Sequence, residues 1–196
     1  MSIRSRYHHG DLRSALLKRA EATLREVGAD GLSLRQLARD IGVSHAAPSR
    51  HFRDKQALLD ELAASGFERL GQCFAEATTE GPVTDRLYGM ARAYLRFAVE
   101  NPELLALMFA RKNLSSTPAM AEAVQQAFTV PVALIAEGQA AGEIVAGDPK
   151  RLGITAIAAL QGVATLVGSD FTPDYDADQL LRDMVRYLTD GLRPRP

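Results

Sequence analysis

Residues 33–55, SLRQLARDIGVSHAAPSRHFRDK, read as a helix, a glycine turn, a second short helix and a basic exit. Ser33 is a residue type that caps helix N-termini, and Leu34, Leu37, Ala38 and Ile41 follow at the spacing that lays an apolar stripe along one helix face. Gly42 suits the left-handed backbone that ends a helix, and Val43 fills the angle between two helices meeting steeply. Ser44 caps the second helix, whose first turn is the small, polar run His45, Ala46, Ala47. A helix end so built enters a major groove and brings side chains to base edges. Pro48 lies beyond that first turn, where its ring and missing N–H oppose a regular helix, so the expectation is a short helix starting loosely around Ser44. Arg50, His51, Arg53 and Lys55 are donors for phosphates, and Phe52 anchors the helix end in the core.

Working outward, residues 11–27 predict a bracing helix with Leu12, Leu16, Ala20, Leu24 and Val27 on one face, stopped by Gly28. A long helix over 54–78 buries Leu59, Leu62, Ala63, Gly66, Phe67, Leu70, Phe74 and Ala77, and joins head to body. Further helices are expected near 83–100, 102–111, 117–141, 149–168 and 176–191, with Pro and Gly at the joints and Pro131 kinking the 117–141 helix. The fold class is all-α, about nine helices. The expected domains are an arm over 1–9, a DNA-binding domain over 10–70 with its helix-turn-helix at 33–52, and a ligand-binding and dimerisation domain over 71–196.

Charge supports that division. Residues 1–55 carry a net +5 and the rest a net −6, within an overall −1, and all four histidines fall in the basic part. A basic head on an acidic body is the electrostatic footprint of a nucleic-acid reader. Cys73 stands alone, so the chain forms no internal disulfide or cysteine metal site, which fits a reducing cytoplasm. The opening residues lead into no apolar signal core, and no charge-free stretch has both the length and the apolarity of a membrane span, so a soluble protein is expected.

Two segments of the body carry further expectations. Residues 152–168 contain no charge and are dominated by small and aliphatic residues. A helix apolar all round must be covered all round, so Ile157, Leu160 and Ala164, with Met184 and Leu188 of the last helix, are expected at a four-helix homodimer interface. The alternative is a central core helix. Phe67, Leu70, Phe74, Met90, Tyr94, Phe97, Met108, Phe109 and Phe128 form an aromatic and Met-rich set suited to an apolar or aromatic small-molecule effector, with Tyr94 as a polar handle. Such residues at helical spacing also make ordinary core.

The string YHHGDLRSALLKRAEATLREVGADGLSLRQLARDIGVSHAAPSRHFRDKQALL, residues 7–59, closely resembles the N-terminal domain of the TetR/AcrR family of bacterial transcriptional regulators. The resemblance implies an all-helical homodimer, usually a repressor, whose C-terminal domain binds a small molecule and shifts the connecting helix so that the heads leave the operator. It places Ser33 and Arg35 near the first helix start, Ser44, His45, Ala46 and Ala47 toward bases, Ser49, Arg50 and His51 at the backbone and groove wall, and Lys55 at the next helix start. Where most members have a phosphate-contacting Tyr, this chain has Ser49, whose hydroxyl still donates but has less reach. Arg4 and Arg6 are candidates for a minor-groove arm. YLRFAVENPELLALMFA, residues 94–110, resembles one subgroup, in which a later helix carries a Trp and then His-Gly; here that stretch runs from Ile157 to Gln161-Gly162.

Enzymatic and metal chemistry find little support. Cys73 has no nearby His, the His8-His9 pair has no third ligand at metal spacing, and Asp174, Asp176 and Asp178 begin a calcium-loop pattern that Gln179 and Val185 break. The three aspartates suit helix capping instead. No cofactor is implied. Two functions remain: a dimeric, ligand-released repressor on a near-palindromic double-stranded DNA operator, or a small-molecule-binding helical module that has lost specific DNA readout.

Overall fold

The computed structural model describes residues 9–77, 80–114, 117–169 and 174–191. Arg4, Arg6, His8 and most of the expected arm, with Leu192, lie outside the described residues. These form α1 (His9–Val27), α2 (Leu34–Asp40), α3 (Lys55–Ala77), α4 (Val83–Glu100), α5 (Pro102–Leu114), α6 (Pro118–Ala127), α7 (Thr129–Ala140), α8 (Pro149–Val167) and α9 (Ala177–Gly191), and include no strand. They gather into two compact units. The first runs to Gly66 and takes in Glu103–Ala121; the second holds Phe67–Pro102 and the chain from Glu122 onward.

In the first unit Leu16, Ala20 and Leu24 of α1, Leu37 and Ala38 of α2, and Leu58, Leu62 and Ala63 of α3 are buried. Val27, expected inside, is 58% exposed, because it is the last residue of α1 and the chain turns away at Gly28, φ +71°. Arg19 of α1 donates to Asp40 of α2 at 2.8 Å, and Arg13 pairs with Glu61 of α3. α5 closes the unit: a side chain at Gly66 would collide with Met108, and Arg111 pairs with Asp60 and donates to Gln56 at 2.7 Å. Glycine there lets α3 and α5 approach closely.

The second unit packs α4 against α7, α8 and α9. Met90, Ala91, Tyr94, Phe97 and Ala98 form the buried face of α4, and Leu181 and Val185 of α9 close on Ala91. The single expected helix over 117–141 is two helices, α6 and α7, bent by 44° at Phe128. Pro131 is the cause, but the break falls upstream of it: lacking an N–H, proline fits the first turn of a new helix, where that donor has no partner, so α7 starts just before it. α8 is capped by Asp148, whose carboxylate accepts from the Lys150 N–H at 2.9 Å. By length and composition α8 is long and apolar enough to cross a membrane. Lys150 and Arg151 stand in its first turn, and the rest of the helix carries no charge. One side of α8 packs on α4, α7 and α9.

Candidate nucleic-acid interface

Ser33 occupies the N-cap position of α2 with extended backbone, and its carbonyl accepts from the Leu37 N–H at 3.0 Å; its hydroxyl makes no capping bond. Leu37 and Ala38 point inward, leaving Arg35 on the outer face. At the other end the Gly42 N–H reaches the Arg39 carbonyl and the Val43 N–H the Ala38 carbonyl, with Gly42 at φ +72°. This paired closure is the one a C-terminal glycine permits.

The second helix of the motif differs from expectation. Residues 44–47 make a turn, and only Pro48–Arg50 are helical, as one tight 3-10 turn. Pro48 cannot supply an N–H to the Ser44 carbonyl, so an α-helix cannot run through it from Ser44. The chain bends instead through the Ala47 N–H bond to Ser44 at 2.9 Å, and His51 and Phe52 both donate to the Pro48 carbonyl. Pro48 and Phe52 are buried, which fixes the turn from beneath. Ser44, His45, Ala46, Ser49 and Arg50 are left exposed on one short rim, with Ala47 and His51 half-buried beside them.

The cations around this rim are not equivalent. Arg35 and Arg50 form no ion pair among the described residues, so both guanidinium groups face solvent. Lys55 donates to the Asp30 carbonyl at 2.8 Å and ties the start of α3 to the α1–α2 loop. Arg53 pairs with Asp54 at 3.0 Å, while Asp54 caps α3 by accepting from the Ala57 N–H at 2.8 Å. That backbone bond, with Arg53 second, holds the Asp54 carboxyl below its ordinary pKa. The Lys55 bond is not legible in the order of residues, since its partner is a backbone carbonyl in a distant loop.

The nine candidates for an effector site divide between the units. Met108 and Phe109 belong to α5 in the first, and the other seven lie in the second. Within the second unit Phe128 sits against Phe67 and Phe74, ring centroids 6.4 and 6.1 Å apart. Gly71, between those two on α3, is pressed against the Ala127 backbone so closely that a Cβ would lie 2.9 Å from its Cα. Leu70, Met90, Tyr94 and Phe97 are buried. Asn101, also buried, accepts from Arg69 at 3.0 Å, and Arg69 lies over the Phe97 ring at 5.7 Å.

α8 contains no buried residue. Ile157, Leu160 and Ala164, with Met184 and Leu188 of α9, are half-buried, while Ile154, Leu166 and Tyr187 are exposed. Ala159, Val163 and Leu166 of α8 and Leu180, Asp183, Met184, Tyr187 and Leu188 of α9 line one largely apolar groove. Asp176 caps α9, accepting from the Asp178 N–H at 2.9 Å. No group of three or more metal-ligating side chains occurs among the described residues.

Known proteins resemble both parts of the chain. Residues 16–62 match the family described as bacterial regulatory proteins, tetR family, and residues 87–188 match the tetracyclin repressor-like C-terminal domain. YobS of Bacillus subtilis (strain 168), described as an uncharacterized HTH-type transcriptional regulator, is 33% identical over 75 residues, which is 38% of this chain and 39% of its own length. The tetracycline repressor protein class A from transposon 1721 of Escherichia coli is 48% identical over 50 residues, 26% of this chain and 23% of its own length. The matches thus span well under half of these relatives. Among solved structures, a protein with unknown function from Rhodococcus sp. RHA1 is 44% identical with a TM-score of 0.88, covering 97% of this chain and 100% of that one. A bacterial regulatory protein in the tetR family from Rhodococcus RHA1 shares the fold at a TM-score of 0.74 and 16% identity, covering 94% and 98%. With the head matched and the C-terminal domain matched over half the chain, this protein belongs to the TetR family of bacterial regulatory proteins.

Proposed function

We propose that the chain is a homodimeric transcriptional repressor, released from a near-palindromic DNA operator by an apolar or aromatic small molecule. The observation that carries this is the rim of Ser44, His45, Ala46, Ser49 and Arg50, small and polar side chains held outward over the buried Pro48 and Phe52. A short, rigid projection with a cation at its edge suits a major groove, where backbone donors set position and groove-facing side chains read bases. Arg35 and Arg50 are assigned to phosphates, Ser33 and Ser49 to the groove wall, and Ser44, His45, Ala46 and Ala47 to bases. His51 and Lys55, half-buried, act mainly by fixing the turn and the start of α3.

The α8–α9 face supports the homodimer. A second copy related by a twofold axis would place the same apolar groove against itself, giving a four-helix interface, and two heads would then read two half-sites. The competing module without specific readout draws on Ser49, where a Tyr is usual, and on the single tight turn that replaces a full reading helix. Selection of bound duplexes from a random DNA pool at moderate salt separates them. An enriched inverted repeat is the expected result; a folded dimer that enriches no sequence would refute the repressor and favour the module.

A further inference from the structure

Tyr94 is completely buried on α4, and among the described residues its hydroxyl makes no hydrogen bond of good geometry. Core tyrosines normally find a partner for that group. Phenylalanine at the same place would fill the same space without the desolvated hydroxyl, so the oxygen is held at a cost to the fold. Gln161 of α8, half-buried, is the polar side chain that acts on it. Burial dominates over that neighbour and pushes the Tyr94 pKa up to about 12, which keeps the phenol protonated and a donor.

The surroundings on these two helices carry no charge. Met90, Ala91, Phe97 and Ala98, one turn to either side of Tyr94, are buried and apolar, and α8 has no charged residue from Leu152 to Val167. An ion placed between them would face these apolar side chains, with the Arg69 guanidinium over the Phe97 ring already bonded to Asn101, and burying it there is unfavourable. A neutral oxygen would accept from the Tyr94 hydroxyl and from the Gln161 amide together.

We infer that the effector is a neutral aromatic or apolar molecule bearing one hydrogen-bonding oxygen, such as a ketone, ester or phenol, which Tyr94 and Gln161 hold between α4 and α8. This rests on the reading of the second unit as the effector-binding part. In this proposal the ligand parts α4 from α8 as it enters. Gln161 is a neutral amide, so this anchor does not titrate.

The test is calorimetric binding of four probes of one size to the full chain: acetophenone, ethylbenzene, benzoate and benzylammonium. Acetophenone should bind at least about tenfold tighter than ethylbenzene, from which it differs by a carbonyl, and tighter than either ion. Tyr94→Phe should erase the preference for the ketone while melting at the same temperature as the parent or higher; Gln161→Met should reduce it. The inference is overturned if ethylbenzene matches acetophenone, if an ion binds best, if no probe binds at millimolar concentration, or if Tyr94→Phe keeps the preference. It is overturned too if Tyr94→Phe melts lower, since the hydroxyl would then have a partner in the free protein. Binding of the selected duplex is measured on the same samples. Ketone preference without duplex binding fails the repressor reading alone, and duplex binding without ketone preference fails this inference alone.

Discussion

The rim of the first unit and the α8–α9 face of the second are both exposed, and for opposite chemical reasons. The rim shows Ser44, His45, Ser49 and Arg50, groups that water satisfies and that a polyanion satisfies better. The α8–α9 face shows Ile154, Leu166 and Tyr187, 66%, 40% and 65% exposed, groups that water penalises. A polar exposed surface is stable alone and gains a partner by charge. An apolar one costs free energy while exposed, and the proposed second copy would cover it.

That contrast is open to direct attack. Met184→Asp places a charge in the apolar groove, where pairing would desolvate it twice across the twofold axis. Sedimentation should show monomer, and operator affinity should fall by roughly a hundredfold or more, because single heads lose the avidity of the pair. A variant that stays dimeric would place the interface elsewhere. Arg50→Ala should leave the dimer intact and weaken binding to all duplexes by about tenfold, with a salt slope shallower by about one, whereas His45→Ala should change which base is preferred at one position. Equal binding by both variants would break the assignment of the rim.

The smallest effect concerns how the head is held rather than what it reads. The hydrogen bond from Arg19, helped by Gln36, keeps the Asp40 carboxyl below its ordinary value of 3.8. A lowered pKa means the folded state favours the ionised form, so the contribution is present above that ordinary value and is lost as pH falls through the folded value. Asp40→Asn, which lacks it at every pH, should melt slightly below the parent at neutral pH and together with it in strong acid. Parallel curves that never converge would show that the pair contributes nothing electrostatic.

The sequence was most readable where structure is local. The stripe and glycine stop of α2, the Phe52 anchor, the caps at Asp148 and Asp176 and the apolar stretch of α8 follow from spacing within a turn or two. Pro48 signalled an irregular second helix, but not that the regular part would shrink to Pro48–Arg50. Pro131 signalled a bend, and its position three residues downstream of the break follows from which helical positions need an N–H. Tertiary pairings were not readable. Nothing in the order of residues tells that Met108 rests on Gly66, that Lys55 reaches the Asp30 carbonyl, or that α5 belongs with the first unit.

The membership of α5 bears on how such a protein is taken apart and recombined. The first unit is not a continuous piece of chain, because α4 intervenes before Met108 and Arg111 return to cover Gly66 and Asp60. A chimera that transplants only the leading segment onto a foreign body would carry an uncovered notch at Gly66 and an orphaned Asp60 carboxylate. Exchange of reading heads between relatives therefore requires matching α5 to the new head, and divergence at Gly66, Leu104 and Met108 is expected to proceed in concert rather than one position at a time.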